Sequence, residues 1–232
     1  MTELVRYIKF PFQFNVSLLE KEVLNILSTH WINHYNTNDY EGRWTSVSLM
    51  SEGGKTDNIY ALPTHNDAVM PTEILDHCDY IKEILDTLQF QKTAVRLLNL
   101  ARGARIKPHK DYCLGYEDGC FRIHIPILTN PQVEFLLDNH LLEMKAGECW
   151  YINANFTHSV VNNGENDRIH LVIDGIRNEW TDALFFKHAP EEQLIKKENT
   201  FKNSEEKEKI IEELRKMNTP IADKLIADLL NE

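Results

Sequence analysis

"RIKPHKDYCLGYEDGCFRIHIPI", residues 105–127, contains a turn signal, Tyr116-Glu-Asp-Gly119, followed by a run that alternates in the manner of a β-strand. The same texture continues on both sides. Between Thr93 and Gly175 the chain reads as the short runs TAVRLLNLA, FRIHIPIL, QVEFLLD, CWYINA, HSVVN and RIHLVID, divided by further turn signals at Thr129-Asn-Pro131 and Asn163-Gly164. Short strands at this rhythm in one stretch predict a sandwich or barrel rather than alternating βα units.

Helical patterns flank this region. Ser17 and Glu20 have capping-box spacing, and Leu18, Leu19, Val23, Leu24, Ile26 and Leu27 continue at helical spacing to about Trp31. RWTSVSLM, residues 43–50, reads as a strand ended by Gly53-Gly54, and residues 72–88 read as a second helix through Ile74, Leu75, Ile81, Ile84, Leu85 and Leu88. Beyond Trp180 two more helices are expected. Asn203 and Glu206 form a capping box before one, and Thr219-Pro220 provides a cap and first-turn proline for the other. The expected organisation is a mainly β domain over residues 1–180 and a helical C-terminal extension over 181–232. The extension's apolar residues, Ile210, Ile211, Leu214 and then Ile221, Leu225, Ile226 and Leu229, must be buried against the β domain or in a homodimer.

Composition narrows the function classes. With 232 residues, 42% of them hydrophobic, the chain can bury a full core, and its net charge of −11 argues against a nucleic-acid partner. No leader pattern opens the sequence and no window is apolar enough for a membrane helix, so a cytoplasmic protein without a membrane partner is expected. The four cysteines, Cys78, Cys113, Cys120 and Cys149, lack a CxxC spacing and fit free thiols in a reducing compartment.

The chemistry is concentrated around His109-Lys110-Asp111. Residues two apart on a strand share a face, so His109 and Asp111 can converge at a strand end, and His158 opens a later strand-like run. Two imidazoles and one carboxylate on one side of a metal, with other positions open, suit a non-haem Fe(II) oxygenase site. A lone histidine at a strand end is more often a structural residue, and HxD occurs by chance in many proteins. Arg168, ten residues beyond His158, adds weight because a guanidinium fork suits bidentate capture of a carboxylate.

The phrases RIKPHKDY, RIHIPILTNPQVEFLLDN and GECWYINANFTHSVVNNGENDRIHLVIDG resemble the aspartyl/asparaginyl β-hydroxylase family of Fe(II)- and 2-oxoglutarate-dependent oxygenases, over about Val95 to Gly175. The likeness leans toward its bacterial branch, which includes free amino acid hydroxylases such as the cis-proline hydroxylases. It implies a double-stranded β-helix, the cupin-like jelly roll of two facing sheets, with the iron at one open end. It also implies His109, Asp111 and His158 as the catalytic iron ligands and Arg168 as the anchor of the 2-oxoglutarate side-chain carboxylate. Arg122 and His124 match the family's R-x-H strand, whose side chains hold carboxylates of cosubstrate or substrate. The implied reaction is hydroxylation of an unactivated C–H bond of a small-molecule substrate by O2, with release of succinate and CO2. A free amino acid or small derivative is the preferred substrate. Alternatives are Asp or Asn side chains in peptides, a metal-binding cupin without oxygen chemistry, and a β-sandwich with no site at all. His170, on the face of Arg168, could reach the pocket or be a core histidine, and Arg43 and Trp44 are placed to form part of a substrate wall. Trp150 and Tyr151 read as packing residues, and Asn153 and Asn155 as turn residues.

Overall fold

The computed structural model describes residues 3–26, 28–61, 67–195, 204–217 and 219–231. In chain order the elements are β1 (Tyr7–Gln13), α1 (Val16–Leu24), β2 (Ile32–Asn33), β3 (Tyr40–Glu41), β4 (Trp44–Glu52), β5 (Val69–Pro71), α2 (Asp79–Thr87), β6 (Lys92–Leu100) and β7 (Arg105–His109). They continue with β8 (Cys120–Leu128), β9 (Val133–Leu137), β10 (His140–Leu141), β11 (Glu148–Ile152), β12 (His158–Asn162), β13 (Arg168–Ile176), α3 (Glu179–Phe185), α4 (Ser204–Met217) and α5 (Pro220–Asn231). The strands form two antiparallel sheets. The larger runs β1-β11-β8-β13-β6-β4-β2, with β5 against β4, and the smaller runs β10-β9-β12-β7-β3. This is the expected jelly roll.

Both faces of the large sheet are covered, and they carry different residues. Ile123, Ile125 and Ile127 of β8, Ile169, Leu171 and Ile173 of β13 and Val95 and Leu97 of β6 point into one apolar core. Leu19 and Val23 of α1, Ile81, Ile84 and Leu85 of α2 and Phe185 of α3 close that core from outside. The intervening residues face the small sheet. There Arg122, His124, Arg168, His170 and Asp174 are all buried, beside a second cluster that includes Leu98, Phe135, Val160 and Val172. The period of two along RIHIPI and RIHLVID therefore separates a dry outer core from a charged interior.

Several boundaries differ from expectation for identifiable reasons. Helix α1 is capped by Asn15, whose Oδ1 accepts from the Leu18 amide at 3.3 Å, rather than by Ser17. The chain is tied to the β11 side as far as Phe14, whose amide donates to the Gly147 carbonyl at 2.8 Å, so the helix starts directly afterwards. It stops at Leu24, well short of Trp31, where the Asn25 amide folds back on the Glu22 and Val23 carbonyls. The helix expected over 72–88 is broken at Cys78, leaving a short 3-10 turn before α2. Thr72 is held instead by β4, its hydroxyl donating to the Ser48 carbonyl at 2.8 Å.

The division at 180/181 falls inside α3. Phe185 and Leu194 belong to the main core and the Val5 amide donates to the Gln193 carbonyl at 2.9 Å, so the helical extension begins at α4. Thr219 caps α5 as expected, accepting from the Ala222 amide at 3.2 Å, whereas the Asn203 cap lies outside the described residues. Cys78, Cys120 and Cys149 are free thiols. Among the described residues no helix is long and apolar enough to cross a membrane.

Gly175, near the end of β13, packs closely against the outer core. A Cβ added there would lie 2.4 Å from two ring carbons of Phe90, itself buried in an edge-on contact with Phe121. Gly175→Ala is expected to lower stability by about 1–3 kcal/mol, the usual range for overpacking. Urea unfolding checks this: an unchanged midpoint would mean that the Phe90 ring yields freely.

Candidate metal centre and pocket

His109 ends β7 and His158 begins β12, and the antiparallel register places the two residues directly opposite one another. Their rings lie 4.2 Å apart between centroids. The histidine Nδ1 atoms face backbone carbonyls, Lys107 at 2.8 Å for His109 and Phe156 at 3.0 Å for His158. A carbonyl only accepts, so each Nδ1 carries the proton and each Nε2 keeps its lone pair for another partner.

Asp111 follows β7 on a turn held by its amide, which donates to the Ala154 carbonyl at 2.9 Å, in the loop leading to His158. One carboxylate oxygen takes the Arg122 guanidinium and the other lies 3.8 Å from His109 Nε2. Ligand atoms of His109, Asp111 and His158 all lie within 4.8 Å of one another. Asn153 and Asn155 reinforce this corner by donating to Glu117 at 2.9 and 3.0 Å, which ties the 116–118 turn to the loop before His158. They do more than shape a turn.

Charge states suit a divalent cation. Burial lowers the His158 imidazole to about 4, with His109 adding to the effect, so the ring is neutral at physiological pH. Burial acts to raise the Asp111 carboxyl, but Arg122, His109 and His158 outweigh it and hold the group well below the usual carboxylate range. Two imidazoles and one carboxylate on one side of an otherwise open site fit Fe(II).

The pocket extends from these three residues between the sheets. Its lining includes Arg96, Arg122, His124, Phe135, Arg168 and Trp44. Arg168 is 2% exposed, and no carboxylate pairs with it among the described residues. Its Nη2 meets His170 Nδ1 at 2.9 Å, its guanidinium lies 5.8 Å from the centroid of the Phe135 ring, and its Nε has no partner. Burial pulls its proton affinity down to about 9. His170 itself is buried and engaged with Arg168 rather than lining the pocket. His124 lines the pocket and its Nδ1 is also without a partner, and burial lowers its proton affinity far below normal.

Arg122 is held by protein carboxylates. Its Nε donates to Asp174 Oδ1 at 2.7 Å in addition to the Asp111 contact, and Arg96 Nη2 reaches Asp174 Oδ2 at 2.6 Å. The Arg96–Asp174–Arg122–Asp111 chain was not expected from the sequence. Its signal was the alternation itself, since Arg122 and Asp174 are opposite partners of adjacent strands and lie on the same face. Two aromatic residues were also missed: His34 stacks on Trp44 at 3.6 Å between ring centroids and on Tyr35 at 4.4 Å, and all three line the pocket. Arg43, by contrast, points outward to Asp167 at 2.9 Å and forms no part of the wall. Trp150 and Tyr151 are packing residues, as expected.

A jelly roll that gathers a His-x-Asp and a distal His within 4.8 Å has the frame of a double-stranded β-helix with a candidate metal site. The sequence profile of the family described as aspartyl/asparaginyl beta-hydroxylase matches residues 13–178, and the chain belongs to that family. It is 28% identical over 136 residues to the L-proline cis-4-hydroxylase of Rhizobium meliloti (strain 1021), covering 57% of this chain and 48% of that protein. To an L-proline cis-3-hydroxylase of a Streptomyces species it is 30% identical over 140 residues, covering 57% of this chain and 47% of the relative. The chain thus spans about half the length of the curated relatives it matches. Among solved structures, a Pseudomonas putida prolyl-4-hydroxylase is similar with a TM-score of 0.49 at 12% identity, over 74% of this chain and 93% of that one.

Proposed function

We propose that this protein is an Fe(II)- and 2-oxoglutarate-dependent hydroxylase of a free amino acid or small amino-acid derivative. The observation that carries the reading is Arg168, a buried guanidinium without a carboxylate partner in the same pocket as the His-Asp-His group. An unpaired buried charge is costly, and a dicarboxylic cosubstrate would supply the missing partner.

His109, Asp111 and His158 would hold the iron, and Arg168 the far carboxylate of 2-oxoglutarate. When bound, the metal and cosubstrate supply oxidative decarboxylation to succinate and CO2, with one oxygen atom of O2 passing into a C–H bond of the substrate. The protein's own part is orientation. Backbone carbonyls set both imidazole tautomers, and Arg122 fixes one Asp111 oxygen so that the other faces the histidines. His124, beside Arg168 and with a free ring nitrogen, is the further cosubstrate contact in this reading, while Arg122 acts through Asp111.

The names of the two relatives above support an amino acid as substrate. Asp39 supports it too, because among the described lining residues it and Asp111 are the only carboxylates, leaving Asp39 to receive an ammonium group. Helices α4 and α5 line one side of the pocket, which favours a small molecule over a protein segment.

Anaerobic titration with Fe(II) and 2-oxoglutarate should produce the weak visible metal-to-ligand charge-transfer band, and a screen of amino acids should yield succinate with a product heavier by one oxygen atom. Absence of the band, together with no succinate from any candidate, would sink the proposal. Asp111→Ala is expected to weaken iron binding by more than the about ten- to hundredfold that loss of an outer-shell partner costs, and to uncouple or stop turnover. Full activity in that variant would remove Asp111 from the ligand set.

A further inference from the structure

The C-terminal helices have apolar faces that the β domain alone does not explain. Leu214 and Met217 of α4 and Ile221, Ala222 and Leu225 of α5 line the same pocket as His109, Asp111 and Arg168. Within this set the burial is uneven. Leu214 and Ala222 are each 1% exposed, whereas Met217 and Leu225, which line the same pocket, are only half-buried. A side crevice continues the contact, with Ile210 and Glu213 of α4 opposite Pro108, Lys110 and Tyr112 next to the metal-binding turn.

The pocket is therefore strongly two-sided. The side against the large sheet carries Arg96, Arg122 and Arg168, and the described residues of the helical side contribute five apolar side chains and no charge. A molecule held between them must offer charged groups to one side and hydrocarbon to the other, because burying an unpaired polar group against that helical wall costs free energy. A half-buried methionine and leucine at the boundary can adapt to the shape of an apolar group.

We propose that the α4–α5 hairpin is the substrate-facing wall of the pocket, that the substrate is an amino acid with an apolar side chain or ring, and that Met217 and Leu225 set the size of that group. The inference rests on the hydroxylase reading for its choice of an amino acid. It makes the hairpin a part of the binding site and gives its apolar faces an occupant other than a second subunit.

The test uses the full chain with Fe(II) and 2-oxoglutarate, and L-proline, L-leucine, L-tryptophan and L-aspartate as probes. Under anaerobic conditions, L-proline or L-leucine is expected to slow hydrogen exchange in α4 and α5, and L-aspartate is not. The Met217→Ala/Leu225→Ala double variant should raise KM for the better of L-proline and L-leucine about tenfold and lower it for L-tryptophan, since methylene-sized changes in an apolar pocket carry effects of that order. A change in size preference distinguishes a wall from a merely structural role. Leu230→Ala, on the same helix but at an exposed position, should leave all these values unchanged. Unaltered size preference in the double variant, or no exchange protection by any apolar probe, overturns the proposal. The charge-transfer band and succinate release report separately on the iron site: absence of both in the unmodified protein defeats the hydroxylase reading, while the exchange measurement still decides whether the hairpin contacts an apolar amino acid.

Discussion

Arg168→Met is expected to raise KM for 2-oxoglutarate by a factor of at least about thirty, with the folded protein no less stable than before. The two effects come from one fact. Arg168 is enclosed by Phe135, His170 and the strands of the large sheet, and none of these supplies a negative charge. Losing one partner of a buried, charge-assisted pair costs about 2–5 kcal/mol, which is a factor of roughly thirty to several thousand in affinity. In the ligand-free chain the same guanidinium is an uncompensated buried cation, so methionine, similar in length and apolar, should leave stability unchanged or raise it. Arg168→Lys should fall between, keeping the charge but losing the bidentate fork. Thermal unfolding reads both halves, because 2-oxoglutarate with metal should raise the Tm of the unmodified protein by mass action and fail to do so for the methionine variant. If KM for 2-oxoglutarate is unchanged, Arg168 is not the anchor.

Which parts of this arrangement were legible in the sequence follows from where each residue's information lies. Strands β6, β8, β12 and β13 were visible because β-branched and aliphatic residues dominate them, and burial on both faces still left a period of two. β1 also alternates exposed and buried residues, but Pro11 masks it as a strand. The structure accommodates that proline on an edge strand paired only with β11, where the register breaks between Phe10 and Gln13. β7 was hidden for a similar reason, since RIKPH offers one buried aliphatic residue, Ile106.

The candidate metal-binding group was readable because the spacing of His109 and Asp111 is local and the later His158 and Arg168 stand in distinctive strand-opening positions. Asp39, His34 and the α4–α5 residues carry no such local mark. They meet the pocket only through long-range packing, and an amphipathic helix pattern specifies a face without naming what lies against it. The buried Arg96–Asp174 contact has the same character. Each residue taken alone is an ordinary polar member of a strand, and the strand register makes them a pair.

That pair supports the second large effect, on stability. Asp174 is 0% exposed and accepts from Arg122 Nε at 2.7 Å and Arg96 Nη2 at 2.6 Å, with both guanidinium groups almost fully buried. Asp174→Asn preserves shape but removes the charge that compensates two cations, leaving Asp111 as the remaining carboxylate of the chain. Breaking a buried pair from one side typically costs about 3–5 kcal/mol, and denaturant unfolding of the variant is expected to show a loss of that size. Glu41→Gln is the comparison, because the Glu41–Arg105 pair has side chains 50% and 57% exposed and should be worth no more than about 1 kcal/mol. Adding Arg96→Met to Asp174→Asn should recover part of the loss by removing one uncompensated cation, a coupling that independent sites would not show. If Asp174→Asn costs no more than Glu41→Gln, water or rearrangement screens the interior charges, and Arg122 cannot be the fixed support that orients Asp111 toward the histidines.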